Sequence, residues 1–417
     1  MNKIIRVVVF WIFFCSIFMT LEKALFNRNE VNSVWGKIEN TEIDILLMGN
    51  SHLYTSINAK VLSDATGLEI DCLGSGSQYM EQTLENLKVV LKYQRPQYII
   101  LETFCVYDDT KDKMQSESIG LMLRNSDGVE KYWYKFQSVL NTYKMKDVCT
   151  AMFQLVRPTE MWSRFEKFPK RKDYIKDLNG YRGAKSKALV HQDMEEIQSK
   201  YNAIYQKGEK SSLTDYNEKA LREFLELTNE KDIEVWMYKG PTTRTVYAKQ
   251  ALAMEEICRE YDNVMYIDDM HMVLTEIGLN EDDWYDTGHL NRAGGEKVTR
   301  FYGTLLAERL GVDLNWNDAF TYSGEEVTEL SEGNYLYKMN NYSNNCLYQF
   351  KLYVDGELLD VQDYSENNTY ECEYDARSSD VVNIRCSMIP MEDIELGDKS
   401  ENRIYYTFMK QNDCVIE

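Results

Sequence analysis

Only four histidines occur in this chain of 417 residues, and two of them stand beside groups capable of acyl chemistry. In "LLMGNSHLYTS", residues 46–56, Ser51 and His52 follow Gly49 and Asn50 at the end of an apolar run. In "YDTGHLNRAGG", residues 285–295, Asp286 precedes His289 by three positions. A third segment, "GSGS" at 74–77, offers glycine amides with no side chain in front of them. A hydroxyl, an imidazole, a carboxylate and free amides make up the set that acyl transfer requires: nucleophile, base, orienting acid and oxyanion donors.

These segments lie far apart in the chain, so a fold must bring them together. "IDILLM" (43–48), "LEIDCL" (68–73), "YIILETF" (98–104), "IEVWMYKGP" (233–241) and "VMYID" (264–268) read as buried strands. Helical patterns separate them, among them "NAKVLSDATG", closed by Gly67, and a stretch from 79 to 93 that stops before Pro96. This βαβ alternation predicts right-handed crossovers and a parallel sheet. Ligands of such sheets bind beyond the carboxyl ends of the strands. "GNSH" leaves the first strand and "GSGS" the second. "DTGHLN" follows the fifth and opens a last helix, about 293–310, with Gly311 as its stop and Asn291 as a possible N-cap. From about 108 to 212 the chain turns polar, aromatic and mostly helical, which reads as an insertion. From 318 to 417 it is Tyr-rich and β-alternating, with "VDGE" as a hairpin turn, and reads as a small β-sandwich-like domain.

The Ser51 turn is not Gly-x-Ser-x-Gly, because Leu53 stands where the second glycine belongs. It resembles the first block of the SGNH/GDSL hydrolase family, Gly-Asp-Ser after the first strand, with Asn50 in place of the aspartate. Asp286-Thr-Gly-His289 is similar to that family's last block, and "LGSGS" to its second, with Gly76 the better match and Gly74 the alternative. The resemblance spans about 40–312, less the insertion. It implies an α/β fold, a flavodoxin-like three-layer sandwich around a five-stranded parallel sheet. It also implies Ser51 as nucleophile, His289 as base, Asp286 as orienting acid, and the Ser51 and Gly76 amides as oxyanion donors. The third block departs: "LETFCVYD" has Glu102, Phe104 and Cys105 where the family has Gly-x-Asn-Asp. The oxyanion asparagine is therefore missing, unless Asn50 or a group from the insertion substitutes. His52 stands open between a structural hydrogen bond and catalysis. Glu102 stands open between pairing with a base and merely ending a strand. His191 and His271 fit no motif.

The net charge of −21 argues against a nucleic-acid partner, since phosphates are met by basic clusters. The nine cysteines show no CxxC or zinc-like spacing, so neither a metal nor a cofactor is implied. Cys346, Cys372 and Cys386 read as buried thiols, with one bridge among them as the alternative. At the N-terminus, Lys3 and Arg6 precede an uncharged run from Val7 to Leu21. Segment 1–26 reads as an uncleaved signal anchor, with a cleaved signal as the alternative, N-terminus cytoplasmic and the bulk of the chain outside. Related cell-envelope proteins of this fold add or remove O-acyl groups on polysaccharides, and the chain resembles the D-alanyl-transfer proteins of teichoic acid synthesis in its N-terminal anchor and its early Gly-x-Ser-like turn. Some work beside a membrane-bound O-acyltransferase. The resemblance thus implies a serine acyltransferase or esterase acting on a cell-surface polysaccharide. A second reading is a non-catalytic binding or assembly protein that keeps the fold.

Overall fold

The computed structural model describes residues 3–25, 32–107, 193–245, 247–268, 276–320, 322–331, 334–373, 382–400 and 403–410. Most of the expected insertion, with His191 and also His271, lies outside the described residues. The helices in chain order are α1 (Lys3–Leu25), α2 (Asn32–Asn40), α3 (Ser51–Ser56), α4 (Ala59–Thr66), α5 (Met80–Val90), α6 (Phe104–Tyr107), α7 (Met194–Lys207), α8 (Asp215–Glu230), α9 (Tyr247–Cys258) and α10 (Arg292–Leu310). Strands β1 (Ile45–Gly49), β2 (Ile70–Gly74), β3 (Tyr98–Glu102), β4 (Glu234–Lys239) and β5 (Val264–Asp268) form one sheet.

The described residues fall into two compact units, each discontinuous in sequence. The first lies within Met1–Tyr54, Glu69–Ile175 and Asp193–Thr275. Its sheet runs β2-β1-β3-β4-β5 with every pair parallel. The sheet is flanked by helices, as the alternation predicts. Alternate strand residues Leu46, Met48, Ile99, Leu101, Val235 and Met237 share a core with Leu84 and Leu87 of α5, Phe224 and Leu225 of α8, and Met254 of α9. The other set, Ile45, Leu47, Ile100 and Trp236, is buried as well. Burial on both faces is why these strands read as continuous apolar runs rather than alternating ones. The chain steps from β1 to β2 on one side and to β3 on the other. The carboxyl end of β1 is thus the switch point where such sheets open a crevice.

One boundary differs from the sequence reading. "YIILETF" predicts a strand through Phe104, but β3 stops at Glu102 and the chain turns into α6. The Phe104 amide donates to Glu102 Oε1 at 2.8 Å and the Val106 amide to the Thr103 carbonyl at 2.9 Å. A side chain at the strand's own end thereby starts a helix among residues that favour strands.

The second unit comprises residues within Thr55–Leu68, Lys176–Gln192 and Glu276–Glu417. α4 is capped by Asn58, whose side chain accepts the Val61 amide, and stopped by Gly67 at φ 71°. The Asn58 amide donates to Thr299 Oγ1 of α10 at 2.9 Å. Val61 packs with Ala319, Tyr342 and Trp316. α10 begins on Asn291, whose side chain accepts the Gly294 amide, and ends at Gly311. The C-terminal strands are β6 (Tyr322–Ser331), β7 (Asn334–Asn341), β8 (Cys346–Val354), β9 (Glu357–Ser365), β10 (Thr369–Glu373), β11 (Val382–Pro390) and β12 (Ile404–Lys410). They form two antiparallel sheets, β10-β7-β6 and β12-β11-β8-β9. Met339 and Tyr370 of one sheet share a core with Phe350, Ile384 and Met388 of the other. The "VDGE" turn joins β8 to β9, with Asp355 and Gly356 both at positive φ, as a type I′ hairpin turn demands. Cys346, Cys372 and Cys386 are buried free thiols.

α1 carries the apolar run, and its side chains from Val7 to Phe14 are exposed. Among the described residues no helix is long and apolar enough to cross a membrane. The uncharged run itself falls short of the ~20 apolar residues of a full span.

Candidate active site

Ser51 is the first residue of α3 and follows β1 after a single residue, Asn50. The turn is tight. Asn50 accepts the Leu53 amide on its carbonyl at 3.2 Å and the His52 amide on Oδ1 at 3.0 Å. That bond fixes Oδ1 and leaves Asn50 Nδ2 uncommitted among the described residues. Ser51 itself is half-buried, whereas Asn50 and His52 are buried. Gly49 is obligatory here. Its φ is +155°, and an added Cβ would lie 2.7 Å from Glu102 Cβ on the neighbouring strand.

The "GSGS" segment ends β2 beside this turn. Gly74 is buried and pairs with Gly49 in the β1–β2 ladder, and the Ser75 amide donates to the Gly49 carbonyl at 3.4 Å. Gly76 is half-buried, and only the Tyr54 hydroxyl, at 3.5 Å, would touch a Cβ there. Of the two glycines, Gly76 has the open approach. Ser75 Oγ donates to Gln78 Oε1 at 2.9 Å, which braces the loop.

The end of β3 holds an aromatic wall. The Phe104 ring stacks on His52 with centroids 3.7 Å apart and planes 22° apart. Tyr247 meets Phe104 edge-on at 4.7 Å. His52 is thereby a packed ring beside the Ser51 turn. Behind it, Glu102 is fully buried. Burial raises its carboxyl to about 8, although the Phe104, Gly240 and Asn50 amides and the charge of Lys239 all pull it down. Sequence reasoning missed Lys239. It ends β4 at 1% exposure, 3.3 Å from Asp268 Oδ1 and over the Tyr201 ring at 4.6 Å. The available signal was a lysine inside "VWMYKGP", where a buried parallel strand has no use for a charge unless it is paired.

Asp286 and His289 belong to the second unit. The turn between them is held by the Trp284–Leu290 bridge and by the Tyr285 amide donating to the His289 carbonyl at 2.9 Å. His289 Nδ1 lies 2.9 Å from Asp286 Oδ2 and 3.0 Å from Oδ1. The Gly288 and His289 amides donate to Oδ1 at 2.6 and 2.8 Å. Partial burial pushes the Asp286 carboxyl up, but these amides and the imidazole outweigh it and hold the group below the usual carboxylate range. An ionised acceptor on Nδ1 selects the tautomer with the proton there, and Nε2 is left as the basic nitrogen. Asn291 supports the turn from behind by donating to the Asp282 carbonyl at 2.6 Å, and Lys297 pairs with buried Asp283 at 2.6 Å.

The structure therefore brings Ser51, His52, Asn50, Gly74, Gly76 and Glu102 together around the carboxyl ends of β1, β2 and β3, and it joins Asp286 to His289 in the other unit. Among the described residues no group of three or more His, Cys, Asp or Glu side chains is placed to hold a metal ion.

No family model matches the chain, and no curated protein does. Among solved structures, one from Streptococcus pneumonia, described provisionally as a platelet activating factor, aligns over 73% of this chain and 100% of its own, at 12% identity and a TM-score of 0.32. A gut microbial diltiazem-metabolizing enzyme aligns over 77% of this chain and 70% of its own, at 10% identity and a TM-score of 0.20. Both scores are too low to carry a functional argument.

Proposed function

We propose that the chain is a serine esterase or acyltransferase of the SGNH type, with Ser51 as nucleophile, His289 as general base and Asp286 as its orienting acid. The observation that carries this reading is the Asp286–His289 clamp, with both carboxylate oxygens within 3.0 Å of Nδ1. In the proposed reaction Ser51 Oγ attacks the acyl carbon and its proton passes to His289 Nε2. The acyl oxygen takes the negative charge and meets the Ser51 and Gly76 amides and Asn50 Nδ2. The tetrahedral species collapses as His289 returns the proton to the leaving alcohol. Water or a second hydroxyl then releases the acyl group from Ser51 by the same steps in reverse.

The proposed substrate is an O-acylated cell-surface polysaccharide, and the proposed setting is the outer face of a membrane reached through segment 1–26. Lys3 and Arg6 ahead of the apolar run support that orientation. The envelope branch of the resembled family supports the glycan, with a membrane-bound O-acyltransferase as the partner that delivers the acyl group. One observation favours the second reading, a non-catalytic binding or assembly protein: the Phe104–His52 stack stands where the family places an oxyanion donor.

A serine-reactive fluorophosphonate separates the two readings. The enzyme requires labelling of Ser51 that disappears in His289→Ala. In cells, Ser51→Ala should abolish the change in surface-glycan acyl content that the wild-type chain restores to a deletion strain. Full restoration by Ser51→Ala leaves the binding protein.

A further inference from the structure

We propose that Glu102 is the positioning residue of the Ser51 turn: its carboxyl gathers the backbone amides that close β1, β3 and β4, and so fixes where the Ser51 hydroxyl points. The inference rests on the reading of Ser51 as nucleophile.

Three strand ends meet at this one side chain. The Phe104 amide donates to Oε1 at 2.8 Å from the end of β3. The Gly240 amide donates from the end of β4 and the Asn50 amide from the end of β1. Two glycines make room for it. A Cβ on Gly49 would lie 2.7 Å from Glu102 Cβ, and one on Gly240 would lie 3.4 Å from Oε1. Asn50 immediately precedes the nucleophile, so holding its amide holds the first turn of α3. The Asn50 backbone amide is thereby committed to Glu102, and only the side chain of Asn50 remains for an oxyanion.

Glu102 does not touch substrate. Its exposure is 0%, and Oε2 is sealed from solvent with no hydrogen-bond partner among the described residues. A carboxyl buried with one oxygen unsatisfied is a cost that an apolar side chain of the same size would avoid. The amides it holds are what that cost secures. The third block of the resembled family contributes a donor to the oxyanion. Here the same strand end contributes an acceptor that organises the turn from behind.

The test uses the full chain with Glu102→Ala, Glu102→Gln and Glu102→Asp, and reads two quantities in each. Amide hydrogen exchange is followed in peptides covering 49–54, 103–107 and 238–242. The rate of fluorophosphonate labelling is followed at Ser51. Glu102→Ala should speed exchange in all three segments and slow labelling by roughly tenfold, the equivalent of one buried hydrogen bond lost. Glu102→Gln keeps the Oε1 acceptor and should restore labelling to within about threefold of wild type. If Glu102→Ala does not fold, Glu102→Asp decides. It is one methylene short of the amides and should label more slowly than Glu102→Gln. Exchange unchanged by Glu102→Ala overturns the proposal. So does faster exchange with wild-type labelling, which reduces Glu102 to a packing residue, or equal labelling of Glu102→Asp and Glu102→Gln. If wild type is not labelled at all yet the three segments loosen together in Glu102→Ala, the nucleophile reading fails and the hold of Glu102 on the turn stands.

Discussion

Replacing Glu102 by glutamine should remove a specific slope from the pH dependence of stability. The Glu102 carboxyl sits at about 8 in the folded chain against 4.5 for an ordinary glutamate, with burial as the main cause. Between those values the unfolded chain has released this proton and the folded chain retains it. The unfolded state therefore binds fewer protons, and stability falls as pH rises through the window. At about 1.4 kcal/mol per decade, the loss from pH 4.5 to about 8 amounts to ~5 kcal/mol, a large part of the ~5–15 kcal/mol that holds a typical domain together. Two neighbouring titratable groups do not mask it. Cys105 and Tyr107 are pushed well above their ordinary values by burial, so both stay neutral across the window. The assay is urea denaturation of wild type and Glu102→Gln at half-unit steps from pH 4.5 to 8.5. Titrations common to both chains cancel in the difference. The variant loses stability at low pH, because glutamine places two N–H donors where the protonated carboxyl has one O–H, and Oε2 has no acceptor nearby. The difference between wild type and variant should then fall steadily by ~5 kcal/mol as pH rises, reversing sign where the low-pH deficit is smaller than that, and flatten above about 8. Parallel curves for the two proteins would refute the argument that this carboxyl is held protonated by burial.

Other outcomes follow from the same geometry. Asp286→Asn keeps the shape of the turn but removes the charge that sets the His289 tautomer, and should slow fluorophosphonate labelling on the order of 10³-fold with the melting temperature little changed. Gly49→Ala drives a Cβ against Glu102 Cβ and should destabilise by about 1–3 kcal/mol in urea titrations, while Gly67→Ala meets no atom and should cost less. Asn291→Ala removes the cap of α10 and should cost about 1 kcal/mol by the same measurement, with labelling lowered because the His289 turn leans on that side chain.

The sheet was legible because both its faces are buried. Runs such as "VMYID" have no polar interruption, and β5 spans the same five residues that the run marks. α4 was legible through its stop, Gly67, and the β8–β9 hairpin through Asp355-Gly356. The end of β3 was not legible. Tyr98 to Phe104 are good strand formers apart from Glu102, and what stops the strand is the Phe104 amide turning back onto that side chain, which is seated against Gly49 and Gly240, remote in sequence. Lys239 escaped for a similar reason, since its partners Asp268 and Tyr201 come from two other elements. An oxyanion role for Asn50 stands in the sequence only as an alternative, because nothing in "GNSH" tells whether its backbone amide is already committed. The Asp286–His289 pair was readable because a contact across three residues is local and the turn supplies its own amides.

The bond between the Asn58 amide and Thr299 Oγ1 joins residues 241 positions apart. It has a consequence in time. A ribosome adding ~5–20 residues per second needs on the order of 10–50 s to cover that interval. Throughout it α4 has emerged without the helix it binds or the Ala319 and Tyr342 side chains that cover Val61. Ala59, Val61, Leu62 and Ala65, all buried in the finished chain, wait in the open as an apolar stripe for a chaperone or a neighbouring nascent chain to find. A gene cut anywhere before residue 299 makes that wait permanent. Cutting at a single point will therefore not release the five-stranded sheet as a free-standing module: the piece of chain between β1 and β2 finishes folding only when α10 arrives.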